Sequence, residues 1–470
     1  MGLVLTIDVV CAGLLVITAV RKGFEGALPL TAFLMMLFPV ESQIRLPGLF
    51  DLTTQRLLIV VLVVLYVVKG KPQKRPLPLK YLVLLLIAWM LVSSANSVVP
   101  DVAFKSTLSQ LLDFVVPYYI CAMTVSKVET VQKILFAFVA AMFVCSIFGL
   151  LEIYGGWSVV SLFPPVSHHF AYVIGEQGER GVRAQATFGH PILFGAALAM
   201  AIPLALYQLT IAETAARKLF LWWAIMLMAL CIYKTGSRGP WIALGSSLAV
   251  LLILGRGQLR KYLLVIAMLT VTVLVVDPGV WDTIRNLYVA SLDPETGQGE
   301  SYQWRYLLYG VARRELAKDF GRSLWGYGPE SFYYLGLTAQ FYVEGEQHTV
   351  QVQSCDSAVV ELMMDTGYVG LFIVAMLLLK AGHTAFRSFR SLPNPANALS
   401  LVLLTNICAF CFLMASVELF AWGQQAYMLW ILLGLVMIYA GLAQAKSTSA
   451  NEIAPELTAS TLDLTESSLA

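Results

Sequence analysis

The chain has 470 residues, of which 58% are hydrophobic and 13% are charged. Soluble globular proteins carry about 25% charged residues, so this chain cannot cover a water-facing surface, and it is too hydrophobic to be disordered. Its net charge of +2 excludes a strongly basic nucleic-acid surface. Segments such as 57–68 and 81–92 are apolar on every face, which excludes surface helices. We therefore predict an all-α polytopic membrane protein.

Apolar runs of about 20 residues, the length that spans a bilayer, recur along the chain and predict 12–13 transmembrane helices. The weakest span, 27–40, is short and contains Pro29. Ten helices fill 1–276, a long loop fills 277–357, and three more helices fill 358–446. The tail 447–470, rich in Ser, Thr and Ala, is expected to be disordered. The thirteen candidate spans begin near Leu3, Ala27, Leu57, Tyr81, Leu108, Val131, Phe188, Leu219, Pro240, Leu259, Ala358, Leu399 and Gln424.

Basic residues predict the orientation of these spans, because cytoplasmic loops are enriched in Lys and Arg. If the Lys-rich link 69–80 is cytoplasmic, alternation places 18 basic residues inside and 7 outside, the loop 277–357 set aside. The N-terminus is then outside, the C-terminal tail is cytoplasmic, and the links 155–187 and 277–357 are extracytoplasmic. Within the long loop, the pattern of 302–320 predicts an amphipathic helix that carries Arg305.

Cysteine and histidine give no sign of a metal site or a disulfide framework. Six of the seven cysteines lie in apolar segments, and Cys355 lies in the long loop. Cys408 and Cys411 have helical spacing within a span, which favours packing over redox chemistry. The adjacent His168 and His169 lack a carboxylate cluster that would complete a metal site. We expect neither a metal nor a cofactor.

Three stretches place polar residues at predicted helix ends on the outer side: 181–191, 233–240, and 325–332 with its continuation 356–367. Arginine is permanently charged and matches phosphate oxygens with its planar fork. Arg183 and Arg238 could therefore hold a lipid-linked diphosphate, although an arginine that meets lipid headgroups is an equally open interpretation. Glycines on both sides of Arg238 permit close backbone approach.

Acidic residues in or near the spans form a second group. Glu361 and Asp365 lie one helical turn apart and share a helix face. Intramembrane acids are costly and usually face a cavity, and for this pair an ion pair with an arginine is favoured over catalysis. Similar positions near span ends are held by Glu152, Asp113 and Glu418.

Four motifs in one order resemble the O-antigen ligase and O-antigen polymerase superfamily of bacterial inner membranes. They are Arg183 with Gly189-His190-Pro191, the Thr-Gly-Ser-Arg-Gly turn at 235–239, Gly-Tyr-Gly-Pro-Glu-Ser-Phe at 326–332, and Asp365-x-Gly367-x-x-Gly370-Leu371. The resemblance covers 183–371, and the three spans after the long loop agree with it.

The resemblance implies a GT-C-like, metal-independent membrane glycosyltransferase whose active face is extracytoplasmic. Its donor would be a glycan on undecaprenyl diphosphate, and its acceptor another such glycan or the lipid A core. Membrane lipids are expected to surround it, a chain-length regulator is a further candidate partner, and nucleic acid is not expected. By motif position, Arg183, Arg238 and Arg305 would bind the diphosphate.

The sequence departs from the ligase pattern at the proposed general base. Ligases carry a His-Asn pair at the head of the helix that follows the long loop, and that position holds Asp356-Ser357 here. Asp356 could deprotonate the acceptor hydroxyl or only orient it, and His348 could supply the base instead. The missing histidine favours polymerisation of O-antigen or exopolysaccharide units over ligation without excluding ligation. A transporter or flippase of lipid-linked saccharide is the alternative from another class.

Overall fold

The fold was analysed in a computed structural model of the chain, which describes residues 2–45, 51–163, 182–276, 278–292, 297–343, 346–352, 355–417 and 423–466. In these residues the chain is overwhelmingly α-helical, with two short antiparallel strand pairs and no closed sheet. The predicted all-α polytopic class is confirmed.

The described residues of the first half of the chain form seven α-helices. A two-stranded ribbon of β1 and β2 links α2 to α3, and a π-helical turn, Leu111–Val115, joins α5 to α6 into one continuous rod. The bounds are α1 Gly2–Lys22, α2 Phe24–Leu37, β1 Gln43–Ile44, β2 Leu52–Thr53, α3 Thr54–Lys69, α4 Lys80–Ala95, α5 Pro100–Gln110, α6 Val116–Thr124 and α7 Val128–Gly155.

From residue 182 onward, the part of the chain that the structure describes adds ten α-helices, and a hairpin lies in the predicted loop. The hairpin pairs β3 with β4 from Thr338↔Gln351 to Val343↔Glu346. The bounds are α8 Pro191–Thr210, α9 Ala215–Lys234, α10 Arg238–Leu254, α11 Gly257–Val276, α12 Pro278–Leu292, α13 Gly297–Leu316, α14 Phe320–Trp325, β3 Thr338–Val343, β4 Glu346–Gln351, α15 Ala358–Ser391, α16 Ala396–Leu413 and α17 Gln424–Glu466.

A helix lies at each of the thirteen predicted spans. Among the described residues, seven helices are long and apolar enough to cross a membrane: α1, α7, α8, α9, α15, α16 and the part Gln424–Lys446 of α17. Three apolar helices, α2, α4 and α10, are shorter. The total of 12–13 transmembrane helices therefore stays a prediction.

Helix α8 lies at the centre of the bundle, where nearly all of its side chains are buried. It packs against α7, α9, α10 and α16. Small residues allow this close packing: a Cβ added to Gly195 would lie 2.7 Å from Cγ of Pro240 in α10. Outer helices such as α1 instead expose apolar side chains, as expected for helices that face lipid.

Polar contacts join the helix ends at the two sides of the bundle. At the side predicted to be cytoplasmic, Arg75 donates to the carbonyls of Ala122 and Val125, and Lys446 pairs with Glu129. At the other side the predicted motifs meet at the ends of α7, α9 and α16 and the starts of α8, α10 and α15. The site described below lies there.

The predicted loop helix is present as α13, which ends at Leu316. Leu308, Val311 and Leu316 are buried in a small core of their own, and Arg313 and Arg314 are exposed. Helix α17 continues past Lys446 to Glu466, where composition predicts a disordered tail.

Candidate functional site

Arg183 connects the first two motifs. Its Nε donates to the carbonyl oxygen of Thr235 at 2.6 Å, and its Nη2 donates to Oγ of Ser237 at 2.6 Å. Gly236 adopts φ +57°, and a Cβ there would lie 3.5 Å from Nε of Arg183. The turn formed by residues 235–237 therefore packs around the guanidinium of Arg183. Arg238, the first residue of α10, directly follows this turn in the sequence.

Glu152, at the end of α7, holds the segment that carries Arg183. Its Oε2 accepts hydrogen bonds from the backbone N–H groups of Gln185 and Ala186, both at 2.8 Å, and its Oε1 accepts one from Ser158 Oγ at 2.8 Å. Ala186 adopts φ +48°, a left-handed conformation that costs a non-glycine residue about 1–2 kcal/mol. The buried carboxyl group offsets that strain. The sequence indicated only that Glu152 lies near a span end.

His190 caps the N-terminus of α8, where its Nδ1 accepts a hydrogen bond from the backbone N–H of Ile192 at 3.2 Å. Burial, together with the positive charges of Arg183 and Arg305, lowers the pKa of His190 to about 3. The histidine is therefore neutral at physiological pH. Arg183 and Arg305, which are far apart in the sequence, are therefore both close enough to His190 to affect its pKa.

Arg305, on α13, reaches the end of α16. Its Nε and Nη2 both donate to the carbonyl oxygen of Ser416, at 3.2 and 3.0 Å. Ser416 also faces α10, because a Cβ added to Gly239 would lie 2.8 Å from its Oγ. The residue after Arg238 is therefore in contact with the residue that anchors Arg305.

Asp356 and Ser357 lie at the same end of α16. Ser357 is the N-cap of α15 and donates through Oγ to the carbonyl of Met414 at 3.3 Å, while Ala358 N–H donates to Val417 O at 3.0 Å. Asp356 precedes this anchor and is half-buried. His348 lies on β4 opposite Phe341, and its side chain lies outside the described part of the structure.

Helix α15 breaks at Gly367, which has φ +66° and ψ −172°. The freed carbonyls find donors in the third motif: Tyr327 N–H donates to Met364 O at 2.7 Å and Gly328 N–H to Asp365 O at 3.0 Å. The backbones of the two segments are in direct contact, since a Cβ added to Gly326 would lie 2.6 Å from the carbonyl oxygen of Met364. This contact explains why the motifs at 326–332 and 365–371 occur together.

Buried amides that the sequence did not reveal lie beside the His190 turn. Nε2 of Gln424 donates to the carbonyls of Phe38 and Thr187, at 3.0 and 2.7 Å, and Nε2 of Gln55 donates to Phe38 O at 2.6 Å. Glu41 is buried, with Oε1 3.3 Å from the Cβ position of Gly189, and burial raises its pKa. A single glutamine at a predicted helix end gives no indication in the sequence that its amide will bond to a distant backbone carbonyl.

Comparison with known proteins agrees with this geometry. Residues 223–375 match a family model described as O-antigen ligase. This segment is an O-antigen ligase-like domain. It extends from α9 into α15 and contains the turn with Arg238, the loop helix with Arg305, and Asp356. No curated protein matches the chain at a significant level.

The match implies a glycosyltransferase-like membrane enzyme. Arg183 and His190 precede the matched segment, and the structure brings them to it through the contacts of Arg183 with Thr235 and Ser237. Among the described residues, no group of three or more His, Cys, Asp or Glu side chains is placed to hold a metal ion. The arginines Arg183 and Arg305 are the cationic groups that converge on the His190 turn.

Proposed function

We propose that this O-antigen ligase-like protein transfers glycan units from undecaprenyl diphosphate to an acceptor sugar at the extracytoplasmic face of the bacterial inner membrane. The observation that carries the proposal is the convergence of arginines from separate motifs at one end of the bundle. The guanidinium groups of Arg183 and Arg305 donate to backbone carbonyl groups and to a serine hydroxyl, which hold them in place. Fixed cationic donors at the leaving diphosphate stabilise the charge that develops as the sugar bond breaks.

The reaction needs no metal in this proposal, because Arg183, Arg238 and Arg305 supply the positive charge that a cation would supply elsewhere. Arg183 is held at two points by the turn that precedes Arg238, so the Arg183 guanidinium and the start of α10 keep a defined relation. Positioning of this kind lowers the entropic part of the barrier.

Asp356 is our first candidate for the general base, and His348 is the second. Asp356 immediately precedes the N-cap of α15, and that helix start is fixed to the end of α16, where Arg305 is also anchored. A carboxylate beside a diphosphate site can accept the proton of the attacking hydroxyl. Since a ligase-type histidine is absent at this position, we propose polymerisation of O-antigen or exopolysaccharide units ahead of ligation to the lipid A core.

A transporter of lipid-linked saccharide is the competing function, and one observation favours it. Transporters use broken helices near their binding sites, and α15 is broken at Gly367. The backbone groups freed by that break are bonded to Tyr327, Gly328 and Trp89 instead of lining an open path. The break therefore supports a fixed joint between loop and helix, and transfer remains our proposal.

Glycan analysis of a deletion strain tests the proposal. The strain is complemented with wild type, Arg238→Ala or Asp356→Asn, each confirmed in the membrane by immunoblot. If the protein is a polymerase, deletion leaves single repeat units on the lipid carrier, and neither variant restores polymer. Polymer that accumulates on the carrier without transfer would instead identify a ligase.

Arg313→Ala is the matched control, because Arg313 lies on the exposed face of α13. It removes one arginine from the same end of the protein and should restore wild-type polymer. Full activity of Arg238→Ala would contradict the diphosphate clamp. Lipid-linked units retained on the cytoplasmic side of the deletion strain, with no glycan formed on the outer side, would favour the transporter.

A further inference from the structure

Glu361 is the acidic residue whose surroundings differ most from the expectation of an ion pair. It lies in the first turn of α15, and its charged neighbours are the carboxylates of Asp365 and Glu330. Its Oε2 is buried and has no hydrogen-bond partner among the described residues. A buried acceptor of this kind is costly unless a ligand supplies a donor.

A small cavity lies against this oxygen. Glu361 and Asp365 line it together with Gln110, Pro329 and Met90, so a few polar groups stand among apolar walls, as is usual in ligand sites. The cavity has room for a group the size of a water molecule or a sugar hydroxyl. The chemistry required of an occupant is a neutral hydrogen-bond donor.

The cavity is close to the proposed transfer site but differs from it in charge. Glu361 lies four residues after Ser357, about 6 Å along the helix axis, and Ser357 is bonded to the same end of α16 that holds Arg305. Three neighbouring carboxyl groups offer no cation to a diphosphate, which the arginines attract. A hydroxyl-rich sugar suits the acidic side of the site, and an anion does not.

We propose that Glu361 binds a hydroxyl of the acceptor sugar and so orients the acceptor against the donor held by the arginines. This inference rests on the proposed glycosyl transfer. Glu361 accepts the hydrogen bond with Oε2, and the hydroxyl occupies the cavity between α15 and the loop at Pro329. Transfer of the glycan and of the acceptor proton takes place elsewhere, at the arginine cluster and Asp356.

The test separates acceptor from donor with the purified full-length protein in lipid vesicles. The donor is the lipid-linked glycan that accumulates in the deletion strain. Two acceptors are used: the free oligosaccharide released from that glycan by mild acid, which has no diphosphate and cannot donate, and purified lipid A–core. Initial rates give separate KM values for donor and acceptor with wild type and with Glu361→Gln.

We expect Glu361→Gln to raise the acceptor KM about tenfold, the loss expected for one hydrogen bond of about 1.4 kcal/mol, because an amide NH2 group replaces one acceptor oxygen, with the donor KM unchanged. Glu361→Asp keeps the carboxyl group and should recover part of the loss. Glu129→Gln is the matched control and should behave as wild type. Glu129 lies at the start of α7, at the side of the bundle opposite the site, where its carboxylate pairs with Lys446.

An unchanged acceptor KM, or equal rises in both KM values, would overturn the assignment of Glu361 while leaving glycosyl transfer intact. If wild type extends neither acceptor, the proposed function itself fails, and the inference fails with it. If Glu361→Gln does not fold, Glu361→Asp decides the question by the same comparison, because a shortened carboxylate in contact with the acceptor raises the acceptor KM alone.

Discussion

Removal of the Glu152 carboxyl group should disorganise the segment that carries Arg183. Glu152→Ala leaves two buried backbone N–H groups, those of Gln185 and Ala186, without their acceptor. Each such loss costs about 1–3 kcal/mol, so we expect a local destabilisation of roughly 2–6 kcal/mol. Because Ala186 is already in a strained conformation, the segment should rearrange, and Arg183 should lose its contacts with Thr235 and Ser237.

Two further variants grade this effect. Ser158→Ala removes only the hydroxyl that donates to Oε1 of Glu152, at a cost of about 1 kcal/mol. Glu152→Gln keeps one oxygen for the two N–H groups, and the Ser158 hydroxyl can turn to accept from the new amide.

The assays are the melting temperature in detergent and polymer formation in the complemented deletion strain. Both should fall slightly in Ser158→Ala and Glu152→Gln and severely in Glu152→Ala. If Glu152→Ala melts and functions like wild type, or if the order is reversed, the carboxyl group does not hold this segment.

Three other perturbations have defined outcomes. Gly367→Ala would place a Cβ 2.2 Å from the carbonyl oxygen of Leu324 at a residue with positive φ, so it should abolish folding or activity. Gly245→Ala is the control, because a Cβ there would have no atom within 4 Å and should have no effect. Membrane yield and glycan analysis check both variants. The pKa of His190, about 3 when folded against about 6.5 unfolded, means that stability falls as pH drops below 6.5, by about 2 kcal/mol at pH 5. His190→Asn can still cap α8 and should show a smaller drop in melting temperature between pH 7 and 5; an equal drop would refute the assignment. Asp113→Asn weakens the bidentate contact with Arg56, at 2.9–3.1 Å, and removal of one partner of a buried pair costs about 3–5 kcal/mol. The double variant Arg56→Met with Asp113→Leu should have a melting temperature closer to that of wild type than Arg56→Met or Asp113→Leu alone.

The sequence was informative about Arg183 and Arg238 because each belongs to a motif with glycines or a proline at fixed spacing, whereas Arg305 was assigned by its place in the loop helix. The positive φ of Gly189, Gly236 and Gly367 explains why glycine occurs at those positions. The same reasoning could not show that Arg183 donates to Thr235, more than fifty residues away, or that Arg305 reaches Ser416 in a part of the chain without a motif. Those contacts depend on how α8, α10 and α16 pack.

The acidic residues illustrate the opposite case. Spacing places Glu361 and Asp365 on one face of α15, and the structure agrees, but their expected arginine partner is replaced for Glu361 by a cavity and two carboxyl neighbours. In the sequence, Glu152 and Glu361 were both acidic residues in or near the spans. Only the structure separates them, because Glu152 is surrounded by N–H and O–H donors and Glu361 has an oxygen with no donor among the described residues.

The amino-acid sequence by itself determined the membrane class, the positions of the helices and the order of the polar motifs. Hydrophobicity and backbone hydrogen bonding act over short stretches, so these features follow from local composition. Tertiary structure decided which motifs meet, which carboxyl groups are satisfied, and how the break in α15 is filled. Those outcomes depend on contacts between residues far apart in the chain. The local sequence of a helix end does not specify which other helix end it will contact.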